Sequence, residues 1–128
     1  MCTSTASVPK LDLGALGESC ACSYLTGCLG WQVIDRNVRT RYGELDIVAL
    51  RHDGAYVFVE VRARSSHRFG SPLETVTQQK LARLVQQMDR YFAAHHVCQE
   101  DRQVALDVVG LTFAGDVLQS LEHVSVLS

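Results

Sequence analysis

The sequence predicts an α/β fold in the order α-β-β-β-α-β-β, a mixed central sheet flanked by helices. Three observations point to it. Two segments carry apolar residues at helical spacing, five carry the short Val-, Ile- and aromatic-rich pattern of strands, and three of those strands follow one another directly between the helices. A chain of 128 residues, 47% hydrophobic and 20% charged, suits one domain with one core.

Residues 1–12, rich in Ser and Thr and holding Pro9, are expected to form a flexible leader ahead of a single domain at 13–128. They lack a basic stretch followed by an apolar one, and no apolar run approaches the roughly 20 residues that span a bilayer, so a cytoplasmic location is expected. Leu13, Leu16, Cys20, Tyr24 and Cys28 mark a first helix over 13–29, ending near Gly27 and Gly30. Residues 31–38, 44–51 and 55–64 read as three strands. Residues 65–76 read as a loop. Thr77 is placed to cap a second helix that runs to about His96, with Leu81, Leu84, Val85, Met88 and Phe92 as its stripe. Residues 103–111 and 117–127 complete the strands. The last of them is an expected sheet edge and a route to a homo-oligomer.

The chemistry concentrates on the second and third strands. Alternation puts Tyr56, Phe58, Glu60 and Arg62 on one face of the third strand and Val57, Val59, Val61 and Ala63 on the other. On the second strand it groups Glu44, Asp46, Val48 and Leu50 against Leu45, Ile47 and Ala49. If His52-Asp53-Gly54 is a three-residue loop with Gly54 in the left-handed position, Asp46 falls opposite Glu60, Glu44 opposite Arg62, and Val48 opposite Phe58. A two-residue loop would put Asp46 and Glu60 on opposite faces. Opposed residues have Cβ atoms about 4.5–5.5 Å apart, so two carboxylates there repel unless a cation or a proton lies between them. A hard cation with oxygen ligands, Mg²⁺ or Mn²⁺, resolves the conflict. A half-exposed hairpin carrying cross-strand ion pairs is the plainer alternative, and spacing alone leaves both open.

The net charge of −2 gives no overall attraction to a polyanion. Between Arg36 and Arg83, however, nine basic residues stand against five acidic ones, a local net of +4. Five cysteines, an odd number without a C-x-x-C pair, are expected to be free thiols rather than zinc ligands. Asp107 interrupts an apolar strand, where a buried hydrogen-bonding role is expected. No Walker loop, G-x-G-x-x-G or Ser-His-Asp pattern supports nucleotide-cofactor or acyl-transfer chemistry.

The runs G-E-L-D-I-V-A-L, V-F-V-E-V-R-A-R and F-G-S-P-L-E-T-V-T-Q-Q-K-L resemble the YraN family of small bacterial endonuclease-like proteins. So do L-G-A-L-G-E-S-C-A-C-S-Y-L, R-N-V-R-T-R-Y-G and A-L-D-V-V, and the likeness covers roughly residues 14–124. The resemblance implies a restriction-endonuclease-like core with the PD-(D/E)xK arrangement, similar to Holliday-junction resolvases. It implies Asp46 as the first acid of that motif and Glu60 with Arg62 in the place of its E-x-K pair. It adds Glu18 as a further metal-linked carboxylate and Lys80 as a basic group on the second helix. Asp46, Glu60 and Glu18 are then the expected metal ligands, Glu44 lies in an outer shell, and Arg36, Arg39, Arg41, Arg64 and Arg68 grip phosphates. The implied activity is Mg²⁺- or Mn²⁺-dependent cleavage of phosphodiester bonds in DNA, branched or damaged forms included. The alternative is a nucleic-acid-binding module of the same fold that cuts weakly or not at all, with a role in DNA repair or processing. The departure from the motif is Arg62 where it has lysine, because arginine stays protonated and cannot act as a base.

Overall fold

The computed structural model describes residues 12–66, 70–95, 97 and 103–127. The expected leader therefore falls outside the described residues except for Asp12, which caps the first helix by accepting a hydrogen bond from the Ala15 amide at 3.1 Å. That helix, α1 (Leu13–Ser23), continues into a π-helical turn, Tyr24–Cys28. The sequence reads one regular helix to residue 29. The difference has a local cause: the Thr26 hydroxyl donates to the Cys22 carbonyl at 2.8 Å and competes with the regular helical bond. The widened turn closes with the Leu29 amide on the Tyr24 carbonyl at 3.2 Å.

Among the described residues five strands and the second helix follow in the expected order: β1 (Gln32–Thr40), β2 (Gly43–Leu50), β3 (Tyr56–Ser65), α2 (Gln78–Ala94), β4 (Val104–Ala114) and β5 (Val117–Leu127). The 65–76 segment contains a 3-10 turn, Pro72–Thr75, closed by a capping box between Ser71 and Glu74. The sheet order is β1-β2-β3-β4-β5, antiparallel except for β3 against β4. A parallel pair needs a long crossover, and α2 lies within it. β1 and β5 are the edges, and on β5 Val117 is 62% and Leu127 46% exposed.

Each face of the sheet carries a core. On one, Ala21 and Leu25 from α1 and the π turn pack with Ile47, Val57, Val59, Val109 and Leu111. On the other, Leu84, Met88, Tyr91 and Phe92 of α2 pack with Leu45, Val48, Phe58 and Leu106. Phe58 meets the rings of Tyr91 and Phe92 edge-on, with centroids 5.5 and 5.3 Å away. Among the described residues no helix is long and apolar enough to cross a membrane.

Two details of the sheet position the site. The β2–β3 turn is the three-residue loop the sequence suggests. The Arg51 amide donates to the Ala55 carbonyl at 3.0 Å, Gly54 has φ +86°, and Ile47, Val48 and Ala49 pair with Val59, Phe58 and Val57. The second detail departs from simple alternation. Leu45 packs with Val48 on the α2 face, while Ile47 faces α1. Between them Asp46 takes neither face. Opposite it on β1, Asn37 adopts φ +52°, and the ladder skips from Arg36–Ile47 to Val38–Leu45. Asparagine tolerates this left-handed conformation better than most residues.

Candidate active site

β2 and β3 stop pairing beyond Ile47–Val59, and the Asp46 side chain fills the gap. Its Oδ2 accepts a hydrogen bond from the Val61 amide at 2.8 Å, replacing the ladder bond that Val61 would otherwise make. Asp46 also shares a hydrogen bond with Glu60, which is only 4% exposed. The two carboxyls that the turn register sets opposite each other are therefore in contact. A bond between two carboxyl groups requires one shared proton, and the environment of Glu60 favours its protonated form. Burial, then the charge of Asp46, push the Glu60 carboxyl up to about 7, against the opposing pull of Lys80 and Arg62. Burial also raises the Asp46 carboxyl, while the Val61 amide works in the other direction.

Glu18 reaches the fork from α1. Gly17 brings the helix against β3 so closely that a Cβ there would lie 2.7 Å from the Ala63 Cβ, and this approach sets the depth of Glu18. One carboxylate oxygen from each of Glu18, Glu44 and Asp46 lies within 4.8 Å of the others. Burial first, then Asp46 and Glu44, raise the Glu18 carboxyl, while the Asn37 side chain hydrogen-bonds to it and Arg36 pulls it down. Glu44, expected in an outer shell opposite Arg62, instead stands in this group, with Arg39 Nε 3.9 Å from its Oε2. The reason is the break at Asp46: the strands have already parted before Glu44 can meet Arg62.

Positive charge meets the acids from β3 and α2. Arg62 Nη2 lies 3.2 Å and Lys80 Nζ 3.8 Å from Glu60 Oε2. Arg36, Arg39 and Arg41 are exposed along β1 and the turn after it. Arg64 is half-buried and lines a separate hollow of about 390 Å³ with Leu13 and Thr75. Arg68 lies outside the described residues. Asn37 is the member of the site that the sequence reading missed; the signal was an asparagine inside an otherwise strand-like run.

The three described cysteines, Cys20, Cys22 and Cys28, are free. Asp107 is buried and belongs to a different cluster. His123 Nε2 lies 2.7 Å from its Oδ2, and His123 Nδ1 lies 2.7 Å from the Tyr24 hydroxyl. That chain ties β4, β5 and the π turn together on the α1 face.

The all-oxygen donor set fits a hard divalent cation. Mg²⁺ binds oxygen at about 2.0–2.1 Å, so ligands across a site stand roughly 4 Å apart. Oxygens within 4.8 Å need only a small rotation of the two glutamates to close on one ion. Burial, with the neighbouring carboxylates adding to it, raises the Glu18 and Asp46 carboxyls, and a cation bound there would offset that cost.

Fold and site together define a class: an α/β protein with convergent carboxylates at the fork of two central strands. Residues 17–111 match the family described as "Uncharacterised protein family UPF0102". The chain belongs to this family, the one its motifs resemble under the name YraN. It is 41% identical over 116 residues to a UPF0102 protein of Chloroflexus aurantiacus, covering 91% of this chain and 92% of that one. It is 39% identical over 118 residues to a UPF0102 protein of Rhodococcus opacus, covering 90% and 94%. Among solved structures, a repair endonuclease from Pyrococcus abyssi aligns with a TM-score of 0.42 at 15% identity. That alignment covers 86% of this chain but only 43% of the other, so this chain spans less than half of that protein.

Proposed function

We propose that the chain is a divalent-metal-dependent phosphodiesterase acting on nucleic acid, with DNA, branched or damaged forms included, as its substrate. The observation that carries this reading is the convergence of Glu18, Glu44 and Asp46 on one point, with Glu60 hydrogen-bonded to Asp46 behind them. Glu18, Glu44 and Asp46 would hold Mg²⁺ or Mn²⁺, and Glu60 orients Asp46. The bound ion would lower the pKa of a water and polarise a phosphate oxygen.

The chain's own groups do the rest. A carboxyl poised near 7, as Glu60 is, suits a group that takes a proton at neutral pH. Arg62 stays charged and balances negative charge growing on the phosphate. Lys80 brings a lysine ammonium to Glu60 from α2, where the motif position on β3 carries arginine. Arg36, Arg39, Arg41, Arg64 and Arg68 hold flanking phosphates through contacts that weaken with salt. A homo-oligomer through the β5 edge and a cytoplasmic location belong to the same reading.

The test is nicking of supercoiled plasmid by purified protein with Mg²⁺ or Mn²⁺. Nicking that stops with EDTA, and falls by about 10²-fold or more in Asp46→Ala and Glu60→Ala, supports the proposal. Nicking that persists in both variants contradicts it. Arg62 favours one other reading, a binding module of the same fold. Salt-sensitive DNA binding without metal-dependent turnover selects that reading.

A further inference from the structure

The turn between β1 and β2 is folded onto the last turns of α2. The Gln87 Nε2 donates to the Tyr42 carbonyl at 2.9 Å, and Arg90 Nη2 donates to the Tyr42 hydroxyl at 2.9 Å. The Arg90 guanidinium also lies 5.0 Å from the centre of the Tyr42 ring. Gly43 lets the turn approach this closely, since a Cβ there would meet Gln87 Nε2 at 2.6 Å.

A pocket of about 520 Å³ lies between the turn and the helix. Its lining combines three cationic side chains, Arg39, Arg41 and Arg90, with Ala94, Tyr91 and His95. Among the described residues no acidic side chain lines it. The His95 ring is stacked on Tyr91, with centroids 4.1 Å apart and planes at 26°. It is also steadied from outside the pocket, with His95 Nε2 3.8 Å from Asp35 Oδ2. Three guanidinium groups lining one hollow give it a positive potential that favours an anion, even with Glu44 3.9 Å from Arg39. The hollow is open to solvent, its volume is in the range of about 300–1,000 Å³ typical of small-ligand sites, and it is far too small for a duplex. Arg39 is also the neighbour of Glu44, so the pocket adjoins the carboxylate group.

We propose that this pocket takes one unpaired nucleotide of a nucleic-acid strand. The phosphate lies among Arg39, Arg41 and Arg90, and the base lies against the Ala94–His95 wall. The inference rests on the nucleic-acid reading above and sharpens it. A base seated here cannot be paired, so the preferred substrate presents a single-stranded nucleotide beside the cutting site.

The experiment is equilibrium binding by fluorescence anisotropy in EDTA, with a labelled single-stranded oligonucleotide and a blunt duplex of the same sequence. Unlabelled nucleoside monophosphate serves as competitor. Wild type is expected to bind the single strand about tenfold tighter than the duplex. Arg41→Ala, on the exposed turn, is expected to weaken single-strand binding several-fold. Ala94→Phe fills the pocket without changing any charge; it is expected to abolish the preference and leave duplex affinity unchanged. Displacement of the strand by the monophosphate at low millimolar concentration also supports the pocket. If monophosphate binds but the strand gains nothing over the duplex, the ligand is a free nucleotide and the strand proposal is overturned. If wild type binds nucleic acid and Ala94→Phe keeps the preference, the pocket proposal alone fails. If wild type binds neither oligonucleotide, the nucleic-acid reading itself fails.

Discussion

Asp46 and Glu60 share a hydrogen bond where β2 and β3 part, and Asp46 is held there by the Val61 amide. The pair is stable without metal only while it keeps a proton, and this has a consequence for stability.

Glu60 is raised from an ordinary value of 4.5 to about 7, and Asp46 and Glu18 are raised as well. The folded state therefore binds these protons more tightly than the unfolded chain. The resulting stabilisation is full below pH 4.5 and is lost as pH rises through about 7. In EDTA, this contribution should lower Tm across that window, by up to about 3 kcal/mol in stability. Glu60→Gln should flatten the loss and exceed wild type in Tm at pH 8. Thermal denaturation from pH 4 to 8 checks this; identical profiles for the two proteins would refute it.

Gly17→Ala should force α1 away from β3, because its Cβ would meet Ala63 Cβ at 2.7 Å. The expected cost is about 1–3 kcal/mol, with Glu18 displaced from the acidic group. Ala63→Gly in the same chain should restore most of the stability. Urea denaturation of the single and double variants measures both effects, and a double variant no more stable than Gly17→Ala would show that the contact is not the cause.

Asn37 at φ +52° lets the ladder break opposite Asp46. Asn37→Gly should keep the stability and lose only a little metal affinity, through its missing hydrogen bond to Glu18. Asn37→Val should cost about 1–3 kcal/mol and weaken Mn²⁺ binding, since a β-branched residue resists that conformation. Equal behaviour of the two variants would remove the break from the account.

The turn register was legible because Gly54 in a three-residue loop leaves one pairing, and that pairing brings Asp46 to Glu60. The helices and strands were legible from periodicity, and the α2 cap from Thr77. The position of Glu44 was not, because strict alternation puts it opposite Arg62. Opposite Asn37, where φ is +52°, the alternation of β2 breaks, so that Leu45 packs on the α2 face and Glu44 stands beside Glu18. Periodicity carries no information about such a break. Arg90, Tyr91 and His95 were likewise unmarked, since their pocket exists only once the β1–β2 turn is folded onto α2.

Lys80 and Arg62 both approach Glu60, but a compact ammonium and a planar guanidinium are not interchangeable there. Lys80→Met should therefore lower metal-dependent nicking by about a hundredfold, while Arg62→Lys keeps or raises it. Comparison of single-turnover rates decides the matter. Full activity in Lys80→Met would leave Lys80 as a side chain that only covers the core.

The central claim is that the carboxylates at the fork form a cation site. Calorimetric titration of Mn²⁺ into wild type and Asp46→Asn at pH 7.5 tests it most directly. The account predicts saturable binding to wild type, weakened by at least about tenfold in Asp46→Asn, whose Tm in EDTA equals or exceeds that of wild type. No binding to wild type, or equal binding to both proteins, would contradict it.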